Sequence, residues 1–294
     1  MRVAAILAVA AACLSTVHAI PVEIESLDIR ADLEPRFIAT NDFSCKSDKN
    51  PVIMLHGLFV NRNLDLNFLE KWLRPQGYCT YGLTYGEYRE FPIVGGLKPI
   101  AESSQEIVDL INEVLEKTGA KKADLVGHSE GGLQALYVAK VRKMSDKIDK
   151  IVGIAPVTHG TDLSNLLDIA NLLGIRPLVD GVLDAVGCAF CTGISPGGDA
   201  VRELNDGPIV QPGNKVTIIA SKYDTVVTPA GTASFVDEPG VFNVYTQDVC
   251  PLDVAGHVSL AIDRNMFLLT RNALQGENGK KFRCRIFSGV PVKN

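Results

Sequence analysis

The sequence predicts an α/β protein of one domain, with a mostly parallel, doubly wound sheet of about six strands and a small helical cap. Three observations carry this. From residue 51 onward, short apolar runs alternate with helical segments. The runs are apolar at nearly every position, as expected of strands covered on both faces. Between one such run and the next helix lies Gly127-His128-Ser129-Glu130-Gly131, a G-x-S-x-G sequence at a strand-to-helix junction.

The elements follow in order. Residues 52–55 read as a central strand, and residues 63–74 as a helix with Leu64, Phe68, Leu69, Trp72 and Leu73 as its apolar positions; Pro75 and Gly77 end it. Residues 79–84 form the next strand. Residues 100–117 form an amphipathic helix on Ile100, Ile107, Ile111, Val114 and Leu115. Strands at 123–126, 151–155, 216–220 and 242–246 complete the sheet, with a helix over 132–140 after the third. Residues 161–210 interrupt the alternation. They are rich in Leu, Ile and Val, and Arg176 is the one cation before Arg202. Two readings stand: a cap or lid over a lipid-binding cleft, or further core helices. Its place between two strands whose ends face the site favours the cap.

The chain of 294 residues is 46% hydrophobic and 21% charged, enough apolar material for one sizeable core. A net charge of −5 gives no electrostatic footprint for nucleic acid. At the start, Arg2 precedes an apolar run over residues 3–14, too short to span a bilayer, and Val17-His18-Ala19 offers a cleavage site. Residues 1–19 are therefore expected to be a signal peptide and the protein to be secreted and extracellular. Residues 20–40 are read as a propeptide or surface strap, and 41–294 as the folded domain. No later segment looks transmembrane, and no N-x-S/T glycosylation site occurs. Loss of Cys13 with the leader leaves Cys45, Cys79, Cys188, Cys191, Cys250 and Cys284. An even number in a secreted chain suggests disulfides, here proposed as Cys45–Cys79, Cys188–Cys191 and Cys250–Cys284. No histidine lies near these cysteines with zinc-ligand spacing, so no metal site is expected.

The chemistry centres on Ser129. A tight strand-to-helix turn lifts its hydroxyl above the sheet edge and sets it at a helix N-terminus, where developing negative charge is favoured. A serine hydroxyl needs a neighbouring base, and the base needs a group to orient it. On this type of elbow the chain order is Ser, acid, His. Of the five histidines, His18 leaves with the leader, His56 and His128 lie too close to the motif turns, and His159 precedes every plausible acid. His257 is the candidate base. Asp224, just beyond the 216–220 strand, is the candidate acid, with Asp248 and Asp253 as rivals. Two backbone N–H groups should stabilise the oxyanion: Glu130, directly after the serine, and Leu58 in the His56-Gly57-Leu58-Phe59 loop, with Phe59 as rival.

The His56-Gly57-Leu58 loop, the Gly127 to Gly131 elbow, the run Tyr223-Asp224-Thr225-Val226-Val227-Thr228-Pro229, and Cys250-Pro251-Leu252-Asp253 leading to Gly256-His257 resemble, in order and spacing, the α/β-hydrolase superfamily, and more closely its secreted class 2 lipases. The resemblance implies a small hydrolase core, no cofactor, and hydrolysis of carboxylic esters, with triacylglycerols or shorter acyl esters as substrates, met at a lipid–water interface. A cutinase-like polyester hydrolase or a detoxifying esterase is the second reading, and a non-catalytic lipid carrier on the same fold the third. Glu130 departs from the pattern, since many relatives carry an uncharged residue there. A carboxylate facing the cleft would oppose the oxyanion by about 1 kcal/mol or more, so its side chain is expected to turn outward and bond elsewhere.

Overall fold

The computed structural model describes residues 41–90, 93–186 and 189–285. Six strands pair side by side, all parallel: β1 (Val52–Leu55), β2 (Thr80–Gly82), β3 (Ala123–His128), β4 (Ile148–Ile154), β5 (Lys215–Ala220) and β6 (Val241–Tyr245). Their spatial order is β2-β1-β3-β4-β5-β6. The chain first moves outward from β1 to β2, then returns to the other side of β1 and continues in the opposite direction. The reversal opens a crevice at the carboxyl ends of β1 and β3, where ligands bind in sheets of this kind. Leu55 lies beside Gly127 in the register, so the loops leaving β1 and β3 emerge next to each other.

Side chains alternate between two cores. Ile53, Leu55, Leu125, Ile151 and Ile218 point to one face of the sheet. There they pack on Ile107, Ile111 and Val114 of helix α2 (Ile100–Thr118) and on Leu133, Leu136 and Tyr137 of α3 (Glu130–Lys140). Val52, Met54, Val126, Val152 and Ile219 point to the other face, against Leu69 and Leu73 of α1 (Asn67–Leu73) and Met266, Phe267 and Ala273 of α10 (Arg264–Leu274). Trp72 and Phe267 join these two helices, with ring centroids 5.6 Å apart. Each fully buried aliphatic side chain contributes about 1.5–3 kcal/mol. The continuous apolar strands thus follow from having helices on both faces.

Several boundaries differ from the sequence reading. Strand β4 begins at Ile148 rather than Ile151, because Ile148 pairs with Ala123 of β3 and the half-buried Lys150 with Lys215 of β5. Helix α1 begins at Asn67 rather than residue 63. The intervening residues form turns, and Asp65 is drawn into the loop after β1, where it accepts the Gly57 N–H at 2.6 Å.

Residues 161–210 fold as α4 (Leu163–Leu172), α5 (Arg176–Val186), α6 (Ala189–Ile194) and α7 (Asp199–Asn205). Ala170, Val179, Phe190, Ile194 and Leu204 join the main core, while Ile169 and Leu173 line the cleft above Ser129. The segment is both core and cleft wall.

Disulfides join Cys45 to Cys79, just before β2, and Cys250 to Cys284 near the C-terminal end of the described chain. Cys188 lies outside the described residues, so the expected Cys188–Cys191 pair does too, as do the expected leader (1–19) and strap (20–40). Among the described residues no helix is long and apolar enough to cross a membrane. Short helices α8 (Thr246–Val249) and α9 (His257–Leu260) connect β6 to α10.

Candidate active site

Ser129 follows β3 at φ 54° and ψ −120°, a backbone conformation that residues with a Cβ rarely adopt. The turn is possible because its neighbours are small. A Cβ at Gly127 would meet the Gly131 oxygen at 2.1 Å, and one at Gly131 would meet the Leu55 oxygen at 2.2 Å. The Ser129 N–H donates to the Ile154 oxygen at 2.8 Å and ties the elbow to β4.

His257 begins α9 directly above this turn. Its Nδ1 lies 2.8 Å from Asp224 Oδ2, and its Nε2 lies 2.9 Å from Ser129 Oγ. A carboxylate at Nδ1 fixes the proton there, which leaves Nε2 free to accept from the serine hydroxyl. The second Asp224 oxygen accepts the N–H groups of Val226 and Val227, each at 2.9 Å. Burial pushes the Asp224 carboxyl upward, but the His257 imidazole and these two donors outweigh it and hold the pKa below the usual range. The rival acids lie elsewhere. Asp248 pairs with Lys222 at 2.7 Å, and Asp253 accepts from Ala255 N and the Asn265 amide.

The loop after β1 arrives from the opposite side. The Gly57 N–H is held by Asp65, and the Phe59 N–H donates to the Gly95 oxygen at 3.2 Å. Between them, the Leu58 N–H has no acceptor among the described residues, whereas that of its rival Phe59 is engaged. The Glu130 N–H, first in α3, is likewise without an acceptor among them.

His56 and His128 both lie close to this site, and neither meets the Ser129 hydroxyl. The His56 ring stacks on Tyr85 at 4.2 Å and accepts the Tyr85 N–H at Nε2, 3.2 Å away. Burial lowers its pKa to about 4. His128 Nδ1 lies 2.9 Å from Asp65, and its Nε2 lies 3.1 Å from the main-chain oxygen of His257. Nothing in the sequence singles out Asp65, which sits in a run that scans as the start of a helix. His159, at the far end of β4, bonds Asn205 and the Phe235 oxygen.

The Glu130 side chain corrects the sequence reading. It leaves the cleft, as expected, but turns into the protein rather than outward, and is 0% exposed. A Cβ at Gly96 would come within 2.7 Å of its Oε2. Among the described residues it has no ion-pair partner. Burial drives its pKa well above the usual carboxylate range, with only the Gln134 amide drawing it back. Ionisation there would leave an unpaired charge in the interior, which burial disfavours.

Ser129 and His257 open into a cleft of roughly 510 Å³ walled by Leu58, Val60, Leu64, Ile169, Leu173 and Ile262. Besides the polar groups already described, Thr225 and Ser259 also line it.

The family model for class 2 lipases matches residues 49–266. The chain belongs to the class 2 lipase family. The match spans every element from β1 to the start of α10. The chain is 23% identical over 150 residues to a triacylglycerol lipase of Pseudomonas fragi, covering 49% of this chain and 47% of that one. It is 27% identical over 113 residues to a triacylglycerol lipase of Burkholderia plantarii, covering 36% and 29%. These matches span less than half the length of either relative. Among solved structures, lipase B of Aspergillus fumigatus superposes with a TM-score of 0.63 at 18% identity, over 82% of this chain and 56% of that one. The Bacillus subtilis carboxylesterase CesB superposes at 0.50 with 15% identity, over 79% and 85%. Both share the α/β-hydrolase fold with this chain.

Proposed function

We propose that this protein is a secreted carboxylic-ester hydrolase that cleaves acyl glycerols or shorter acyl esters through an acyl-enzyme. One observation carries the reading: the chain of contacts from Asp224 through His257 to Ser129 ends in a largely apolar cleft, beside two N–H groups without an acceptor among the described residues. In the proposed mechanism Ser129 Oγ attacks the ester carbonyl while His257 Nε2 takes its proton. The Leu58 and Glu130 N–H groups receive the oxyanion. The intermediate collapses, His257 gives its proton to the leaving alcohol, and the acyl group stays on Ser129. Water, activated by the same imidazole, then releases the acid.

The surroundings favour a lipid ester. Of the exposed large hydrophobics, Leu64 lines the cleft, and Tyr223 and Val254 each lie two residues before a lining residue, Thr225 and Gly256. The Pseudomonas fragi and Burkholderia plantarii relatives are triacylglycerol lipases. Secretion is supported by the leader-like start and by the two disulfides, which persist in oxidising compartments.

The test combines a fluorophosphonate probe with a p-nitrophenyl ester series. Wild-type protein should label once, at Ser129, and hydrolyse the esters. Ser129→Ala should lose labelling and at least about 10⁴-fold in kcat. Folded wild-type protein that neither labels nor turns over would leave the lipid-carrier reading in its place.

A further inference from the structure

Asp65 and His128 form a second carboxylate–imidazole pair on the wall of the same cleft. Asp65 Oδ2 accepts the Gly57 N–H at 2.6 Å, and its carboxylate meets His128 Nδ1 at 2.9 and 3.2 Å. The other ring nitrogen of His128 faces the His257 main-chain oxygen at 3.1 Å. Both ring nitrogens thus face acceptors, which an imidazolium satisfies with two N–H donors and a neutral ring with only one. The electrostatics agree. Burial opposes the charge on each group. The Asp65 carboxylate nevertheless raises the His128 pKa above its ordinary value, and the His128 ring lowers that of Asp65. The groups facing the pair are His56 on the Asp65 side, and Asp224 and the His257 ring, 5.0 Å away, on the His128 side.

We propose that the Asp65–His128 ion pair positions the oxyanion loop and the base together over Ser129. The inference rests on the Ser129–His257–Asp224 reading given above. It joins three separate loops. Asp65 fixes the Gly57 peptide and so presents the next N–H, that of Leu58, to the cleft. His128, adjacent to the nucleophile, holds the main chain of His257 and sets the height of its ring. Neither residue touches the reacting atoms; both are positioning residues.

Asp65→Ala removes the Gly57 and His128 contacts together. It should lower kcat on p-nitrophenyl butyrate about 100-fold, the scale of a lost oxyanion donor, with KM within about threefold. Asp65→Asn can rebuild both hydrogen bonds to a neutral His128 and should recover kcat to within about tenfold of wild type. His128→Asn keeps a partner for Asp65 but loses the reach to His257. It leaves an unneutralised carboxylate near the base, so the acid limb of kcat/KM should move to higher pH. The proposal is overturned if folded Asp65→Ala keeps kcat within threefold of wild type, or if Asp65→Asn recovers nothing. Should Asp65→Ala not fold, an unmoved acid limb in His128→Asn overturns it. Fluorophosphonate labelling of wild-type Ser129 separates this failure from failure of the underlying reading: a labelled wild type with indifferent variants sinks only the positioning role.

Discussion

Glu130 divides its main chain from its side chain. The N–H stands at the start of α3 without an acceptor among the described residues, while the carboxyl is buried beneath Gly96, where burial raises its pKa well above the usual range. An ionised group there would oppose the oxyanion proposed to form one residue away; protonation removes that conflict. It has a stability consequence. The folded pKa lies above the unfolded one, so the contribution of this group is fully present below pH about 4.5 and is lost as pH rises toward the folded value. Glu130→Gln keeps the shape and cannot ionise. Its thermal midpoint should match wild type near pH 4 and exceed it by a growing margin as pH rises above about 5, levelling off past the folded pKa. Thermal melts across that range check this, and parallel curves would contradict it. That Ser129, Asp224 and His257 would meet was legible in the sequence, because the elbow motif singles out the serine and chain order then restricts its candidate partners. The Glu130 orientation was not, since it depends on the space beneath Gly96, brought there by a loop more than thirty residues away. Asp65 was hidden for a similar reason: its partners, Gly57 and His128, meet it only once β1 and β3 are paired.

Helix α4 and the turn after it connect the interrupting segment to the proposed chemistry. Ile169 and Leu173 wall the cleft from one side, and Val60 and Leu64 from the other. Acyl chains bound there would pack between the two walls. Leu173→Trp fills part of the roughly 510 Å³ available, so hydrolysis of butyrate esters should stay within threefold of wild type while that of dodecanoate esters falls tenfold or more. One or two methylenes change such discrimination by about 1–3 kcal/mol each. A chain-length series on the variant checks this, and equal losses at every length would remove α4 from the acyl site. At this scale the sequence located strands well, because strands covered on both faces have no polar side to confuse the pattern. It placed ends less well where the ends are wet: Asp149 and Lys150 in β4 look like loop residues, yet Lys150 pairs with Lys215 of β5. Nor could composition choose between cap and core for residues 161–210, since an apolar helix serves either, and this segment does both.

Across the molecule, the Cys250–Cys284 bridge closes a loop of 34 residues that carries His257 and α10. Loop-closure entropy for that length corresponds to about 3–4 kcal/mol. A Cys250→Ala, Cys284→Ala double variant should lose about that much in denaturant unfolding, with a lower thermal midpoint; an unchanged midpoint would show that the tail contributes little. The sheet order has a further consequence, for the timing of activity. Ser129 and both proposed oxyanion donors lie on or beside β1 and β3, whereas Asp224 and His257 arrive only after β5 and β6. A nascent chain or refolding intermediate with β1 to β4 in place would hold a shaped crevice and a serine with no base. Such a species would be silent toward esters, so turnover in a refolding experiment reports when the far edge of the sheet has joined the near one.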